Sequence, residues 1–494
     1  MGAVALVGQR RVAAVEGDLV MTRIALLALA APRRVLAVAA LIAAAAALFG
    51  VPVAKNLSAG GFQDPTSESA HANELLGEKF GQGDQQLQVT VTSADGATGE
   101  AARAVGTDLV NRLHTSPHVA DISSAWTSPP AAASRLVSRD GKTGLIVASI
   151  TGGENNAQKY ARTLAEQLGP GRDGVSVRFG GVPMVYAEAN QQSERDLLLM
   201  ESIAVPLSFV VLTWVFGGLL AAAVPMLVGA MAIVGSMSVL RLITFGADVS
   251  IFALNLTTAM GLALAIDYTL LIISRYRDEL AEGSAPRQAL IRTMVTAGRT
   301  VVFSATTVAL SMATAILFPM YFLKSFAYAG VATVAFAALA AVVVTPAAIV
   351  VLGARLDALD VRRLGRRLLH RGDSAPKPVE ELFWYRSTKF VMRHALPAGL
   401  AVIALLVVLG APFLGVKWGL PDERMLPHSS SAYQVGDQLR AGFTDNAATA
   451  VTVVIPDADG LTPAELDRYA ADLSRVPDVL GVSAPGTTFA GGRD

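Results

Sequence analysis

The sequence predicts a polytopic α-helical membrane protein that carries an extracytoplasmic α+β domain of ferredoxin-like type. Of its 494 residues, 52% are hydrophobic and only 16% are charged, whereas an average soluble domain carries roughly 25% charged residues. A bilayer core of ~30 Å requires about 20 apolar residues in a helix. About seven apolar runs approach that length, at 35–53, 197–216, 218–240, 250–274, 301–319, 326–353 and 396–416.

The first apolar run is interpreted as a retained span, and a cleaved signal peptide is the alternative. A signal peptide has a shorter hydrophobic stretch of about 7–15 residues, followed by a cleavage site of small residues. The run at 35–53 is longer, and no such site follows it. Met21 lies upstream and is an alternative start of translation.

Basic residues orient the chain, because Lys and Arg accumulate in cytoplasmic loops. Three basic clusters, at 33–34, 275–299 and 355–393, fall on one side when the spans are counted. We therefore expect a multi-pass protein of the cell membrane with a cytoplasmic N-terminus. The expected divisions are a cytoplasmic segment at 1–34, a first span at 35–53, an outer domain at 54–195, a bundle of five spans at 196–353, a basic cytoplasmic loop at 354–395, a seventh span at 396–416 and the start of a second outer domain at 417–494.

The first polar interval has the pattern of a small α+β sandwich. Residues 86–92 alternate polar and apolar side chains, as a half-buried strand does, and 100–114 have helical spacing. A short strand at 118–124 ends this unit, and a second unit follows with strand 144–151, helix 155–168 and strand 174–179. Two consecutive β-α-β units of this size predict a ferredoxin-like domain; an unrelated α+β lid is the alternative.

The end of the chain repeats the start of this outer domain. Ser69-Ala70 matches Ser431-Ala432, and the strand at 89–91 matches 451–453 at the same offset. Such ordered matches indicate the internal duplication of transporters that are built from two like halves. We therefore expect a first half that stops inside a second outer domain, in which 451–453 form a strand.

One acidic residue lies inside an apolar run. Asp267 is seven residues before Ser274, which places it about 10 Å inside the end of that run. An aspartate there costs about 2.5–3.5 kcal/mol on the insertion scale. Its neighbours at i±3 and i±4 are apolar, so we expect its partner on another helix. A carboxyl that gains and loses a proton inside a membrane can carry protons; an acid that only joins helices through hydrogen bonds is the alternative.

Three hydroxyl-bearing residues are candidates to support Asp267. Tyr268 follows it directly and can donate to a carboxylate, although a lone tyrosine also serves as a packing aromatic. Ser304 and Thr307 in the next run can hydrogen-bond across helices, and ordinary helix packing is the alternative for both.

Composition argues against an enzyme and against a cofactor or metal site. Without cysteine the chain has no disulfides, thiol catalysis or cysteine-held clusters. His114 and His118 are separated by Pro117, which breaks a shared helix face. Forty basic residues balance forty acidic ones, so no bulk charge indicates nucleic acid. The tripeptide at 141–143 lacks the upstream glycine of an ATP-binding loop.

The segment around Asp267 resembles a known family. Gly261–Leu280, GLALAIDYTLLIISRYRDEL, resembles the fourth-span signature of the MMPL family within the resistance-nodulation-division superfamily. Thr296–Thr307 resembles the entry to the fifth span, and Ser58–Phe80 resembles the stretch after the first span. The resemblance implies twelve spans, two porter domains and proton-driven export of lipids or other hydrophobic compounds. It also implies that Asp267 and Tyr268 form half of a proton relay.

The chain departs from the family pattern because no second Asp-Tyr dipeptide occurs before Asp494. The first hypothesis is therefore the N-terminal portion of an exporter, with a lipid or hydrophobic substrate, the bilayer and either a missing C-terminal half or an oligomeric partner. The second hypothesis is a membrane lipid sensor or scaffold without transport, or an inactive fragment. A continuing reading frame with a second Asp-Tyr pair favours the first.

Overall fold

The structure, a computed structural model, describes residues 18–80, 85–172, 174–357, 383–416, 419, 422–443, 451–484 and 487–492. Among these residues, seven helices are long and apolar enough to cross a membrane. Each of the seven predicted runs falls on one of them, so the prediction of a polytopic helical membrane protein is confirmed. They are 32–54, 182–216, 219–243, 252–281, 286–317, 321–352 and 395–415.

The helices and strands are numbered in chain order. The helices are α1 (18–30), α2 (Pro32–Gly50), α3 (Glu68–Phe80), α4 (Glu100–His114), α5 (Pro130–Arg135), α6 (Gly153–Leu168), α7 (Val182–Phe216), α8 (Leu219–Ile243), α9 (Phe252–Ala281), α10 (Pro286–Thr293), α11 (Arg299–Ala313), α12 (Tyr321–Leu352), α13 (Phe383–Arg393), α14 (Ala395–Gly410), α15 (Ser431–Gly442) and α16 (Pro463–Leu473). The strands are β1 (Gln85–Thr92), β2 (Val119–Ser124), β3 (Thr143–Ile150), β4 (Ser176–Gly180), β5 (Val482–Ser483) and β6 (Thr488–Phe489).

The core of the helix bundle is formed by α8, α9 and α12, which pack against one another. Alanines with no exposed surface line their contacts, because small side chains let helix backbones approach closely in a membrane. These alanines are Ala221, Ala222, Ala232, Ala265, Ala337 and Ala341. Helix α9 is therefore held between two neighbouring helices.

Helix α7 joins the outer domain to the bundle without a break. It begins at Val182, well inside the interval predicted to be the outer domain, and ends at Phe216. Hydropathy marks only the apolar portion of a helix, so the sequence placed the boundary at 195.

The outer domain contains a four-stranded antiparallel sheet in the order β2-β3-β1-β4. Its chain order is strand, helix, strand, strand, helix, strand, with the short α5 between β2 and β3. Helices α4 and α6 cover the face that carries Leu87 and Ile146, to which they contribute the buried side chains of Leu113 and Leu164. The predicted strands and helices of this interval are thus present.

The opposite face of the sheet is covered by α15, from the far end of the chain. Val435, Leu439 and Phe443 are buried against Leu145. The hydroxyl of Thr90 donates to Oε1 of Gln438 at 3.0 Å. This segment was expected to belong to the second outer domain, yet it packs on the first. Nothing in its local pattern indicates which sheet it covers.

The prediction of a strand at 451–453 is wrong, since those residues form no strand in the structure. A strand requires a hydrogen-bonded neighbour, and a lone segment has none to pair with. The described residues beyond them form α16 and the small β5–β6 hairpin.

Candidate proton site in the helix bundle

Asp267 lies at the middle of α9. The helix runs from Phe252 to Ala281, so Asp267 is about 21 Å from its C-terminal end at 1.5 Å per residue. The sequence placed it about 10 Å inside the end, because the basic turn that follows Ser274 was counted as loop. The helix thus continues past the apolar run, and the distance from Asp267 to the end of that run is still about 10 Å.

The side chain of Asp267 is exposed on the surface of the bundle, in contrast to the expectation of a partner on another helix. It belongs to an exposed stripe of α9 that also contains Asn255, Ala259 and Ala263 at intervals of four residues. Within the part of the chain that the structure describes, Asp267 forms no ion pair with an arginine or lysine. The acid therefore lies on the outer surface of the described helices.

Tyr268 has the opposite orientation. It is 2% exposed and belongs to the main core of the bundle. Its hydroxyl is buried without a hydrogen-bond partner of standard geometry among the described residues, and Ser304 on α11 is a polar side chain that interacts with it. Side chains one position apart in a helix point about 100° apart. Asp267 can therefore face the surface of the bundle while Tyr268 faces its core.

The two supporting candidates behave differently. Ser304 is partly buried and interacts with Tyr268, whereas the sequence offered it as support for Asp267. Thr307 is exposed, and its hydroxyl donates to the carbonyl oxygen of Phe303 at 3.0 Å in its own helix. The structure therefore brings Tyr268 and Ser304 together and leaves Thr307 apart from them.

A second polar cluster joins the outer domain to the bundle. It contains Glu154 and Asn155 at the start of α6, Asp248 in the segment before α9, and Tyr321 at the start of α12. Sequence reasoning missed it because its members come from distant positions and each has ordinary polar neighbours. No local signal identifies such a contact.

A third polar cluster lies at the opposite end of α9. Glu279 has a side chain that is 3% exposed, and its Oε1 lies 2.6 Å from Nη2 of Arg275. Its Oε2 lies 3.5 Å from Nη1 of Arg292. One buried carboxylate therefore joins α9 to α10. Among the described residues, no group of three or more His, Asp and Glu side chains could hold a metal ion.

The chain is similar to several curated membrane proteins. It is 31% identical over 437 residues to "Probable trehalose monomycolate exporter MmpL3" of Mycobacterium leprae, which covers 82% of this chain and 45% of that protein. It is 34% identical over 305 residues to "Trehalose monomycolate exporter MmpL3" of Mycolicibacterium smegmatis, covering 58% and 30%. The chain thus spans about half the length, or less, of these relatives.

Among solved structures, a heavy metal efflux pump aligns with a TM-score of 0.40 and 16% identity, over 55% of this chain and 36% of that one. The family model described as "MMPL family" matches residues 61–398. This match covers most of the chain, includes the Asp267–Tyr268 segment, and confirms the resemblance. The chain belongs to the MMPL family.

Proposed function

We propose that this protein is part of a proton-driven exporter of lipids or other hydrophobic compounds in the cytoplasmic membrane. The observation that carries the proposal is Asp267, an acid at the middle of a membrane-spanning helix. Ionisable residues at such positions are rare and mark proton or substrate pathways. The printed names of two relatives, both trehalose monomycolate exporters, support a lipid substrate.

The proposed topology has a cytoplasmic N-terminus and an outward-facing ferredoxin-like porter domain. The β2-β3-β1-β4 sheet order and the two helices on one face support this assignment of the outer domain. The basic residues between α9 and α11 and after α12 support the orientation. The porter domain would guide an amphiphilic substrate away from the membrane.

The proposed relay uses both members of the Asp-Tyr pair. Asp267 faces out of this bundle, so a second half or a partner subunit would cover it and supply the other half of the relay. Its protonation would remove a charge from that contact, while Tyr268 and Ser304 face the interior. One charge that moves through ~150 mV releases about 3.5 kcal/mol, which biases a two-state bundle by roughly two to three orders of magnitude.

The test is Asp267→Asn in the complete protein, reconstituted into liposomes with a pH gradient. We expect substrate transport to fall by about two orders of magnitude, because the side chain no longer exchanges a proton. Asp278→Asn is the matched control, since Asp278 lies on the same helix and is also exposed. It should retain transport, and both variants should insert into the membrane normally.

Transport by Asp267→Asn at the level of the control would contradict the relay. If neither the parent protein nor the control transports any substrate or dissipates the gradient, the sensor or scaffold hypothesis is favoured instead.

A further inference from the structure

The contact between the outer domain and the helix bundle, here called the junction, is formed by four parts of the chain. Glu154 and Asn155 come from α6 and Tyr321 from α12. Asp248 lies in the segment between α8 and α9, and the pair Gly60-Gly61 lies in the segment between α2 and α3. The junction therefore joins α6 of the outer domain to α12 and to the segments that flank α2, α8 and α9.

Tyr321 lies at the centre of the junction. Its hydroxyl is 3.3 Å from Oε2 of Glu154, 3.4 Å from Oδ1 of Asn155 and 3.5 Å from Oγ of Ser58. A phenol has one proton to donate, so it serves one of these three acceptors at a time. All three distances are longer than the usual 2.7–2.8 Å of an O–H···O bond. The hydroxyl therefore has three alternative acceptors.

Two glycines form a seat for the two interacting groups. A β-carbon at Gly60 would collide with the carboxyl group of Glu154, and one at Gly61 would collide with the ring of Tyr321. The backbone of Gly61 has φ of +96°, a conformation that other residues rarely adopt. Its N–H also points to Oε1 of Glu154 at 3.4 Å. The carboxyl group is therefore seated against backbone, with room for little else.

The charges around Glu154 do not neutralise it. Among the described residues, the groups that act on it are Asp248, Tyr321 and, from α7, Tyr186, and none of these is basic. Asp248 is connected through Asn155, whose Nδ2 donates to Oδ1 of Asp248 at 2.6 Å. Burial raises the pKa of the Glu154 carboxyl, and the negative charge of Asp248 adds to that effect.

We propose that Glu154 is a second protonation site of this protein, and that its neutral form closes the junction between the outer domain and the helix bundle. On taking one proton from the solution, the carboxyl gains an O–H at Oε2 that can donate to the Tyr321 hydroxyl, which then donates its own proton to Oδ1 of Asn155 or Oγ of Ser58. The other oxygen, Oε1, still accepts from the N–H of Gly61. When Glu154 is ionised, it repels Asp248 and only accepts hydrogen bonds, so the junction loosens.

The direction of the pH dependence follows from linkage. A carboxyl with a raised pKa in the closed junction binds its proton more tightly there than in the open form. Closure is therefore favoured at low pH and is lost as the pH rises through the raised pKa. Which side of the membrane supplies the proton to Glu154 rests on the orientation given in the proposed function. The closure of the junction does not depend on transport.

The test measures hydrogen exchange of the full chain in lipid nanodiscs at pH ~5 and ~7.5, corrected for the intrinsic pH dependence of exchange. Segments 154–168 and 321–325 should be about two- to tenfold more protected at the lower pH, the range for one hydrogen bond gained. Glu154→Gln should remove this pH dependence and keep the protection high at both values. Glu166→Gln is the matched control on α6, because that side chain is 66% exposed, and it should retain the parent's response.

A second pair of variants tests the seat. Gly60→Ala should displace the carboxyl group and lower the protection at both pH values. Gly246→Ala should not, because no atom lies within 4 Å of its added β-carbon. A parent-like pH response in folded Glu154→Gln would overturn the proposal; should that variant not fold, a parent-like response in Gly60→Ala would do so. Asp267→Asn should keep the parent's pH response, so failure of the transport proposal is distinguishable from failure of this one.

Discussion

Removal of the Tyr268 hydroxyl is the perturbation that most directly separates a structural from a functional role. The ring is 2% exposed in the bundle core, and its hydroxyl has no partner of standard geometry among the described residues. A buried polar group without a partner costs about 1–3 kcal/mol in water-soluble proteins. Inside membranes the corresponding differences average nearer ~0.6 kcal/mol, because the unfolded reference also finds partners.

Tyr268→Phe should therefore leave the free energy of unfolding unchanged or raise it by up to ~1 kcal/mol, since the ring still fills its site. Tyr268→Ala should lower it by about 3–5 kcal/mol through the cavity that it leaves. If the hydroxyl serves the proposed relay, transport should fall in Tyr268→Phe without any loss of stability. Tyr276→Phe is the matched control on α9, where Tyr276 is 8% exposed.

The assay is thermal unfolding in detergent, with a double-mutant cycle that combines Tyr268→Phe with Ser304→Ala. The absence of a standard hydrogen bond between the two side chains predicts a coupling free energy below ~0.5 kcal/mol. A loss of more than ~1 kcal/mol in Tyr268→Phe, together with coupling to Ser304 of similar size, would refute the reasoning. The hydroxyl would then be a structural group.

Two further predictions concern stability. Glu279→Gln should lower the free energy of unfolding by about 1–3 kcal/mol, because a buried charge-assisted pair is lost; Glu166→Gln, in an exposed pair, should change it by less than ~0.5 kcal/mol. Both changes are measured by thermal unfolding. Leu439→Ala should weaken the packing of α15 on the sheet by about 2–4 kcal/mol and make α15 more susceptible to proteolysis. Asp437→Ala, at an exposed position, should do neither. Equal effects within either pair would contradict the packing described.

The seven spans could be predicted because each depends on the length and hydropathy of one segment. The strands and helices of the outer domain could be predicted for the same reason, since the alternation at 86–92 and the helical spacing at 100–114 are local patterns. The packing of α15 on the first sheet could not be predicted. Val435 and Leu439 show that this helix has an apolar face, but not which part of the protein that face covers.

The sequence by itself determined that the chain spans a membrane, that it carries a β-α-β-β-α-β unit, and that an Asp-Tyr pair lies within a span. Only the tertiary structure decided that Asp267 faces out of the bundle while Tyr268 is buried in it. It also decided that Glu154 meets Tyr321 over a pair of glycines. The physical reason is that hydropathy and periodicity are set by neighbours along the chain, whereas the direction in which a side chain finds its partners depends on elements that are distant in sequence and meet only after folding.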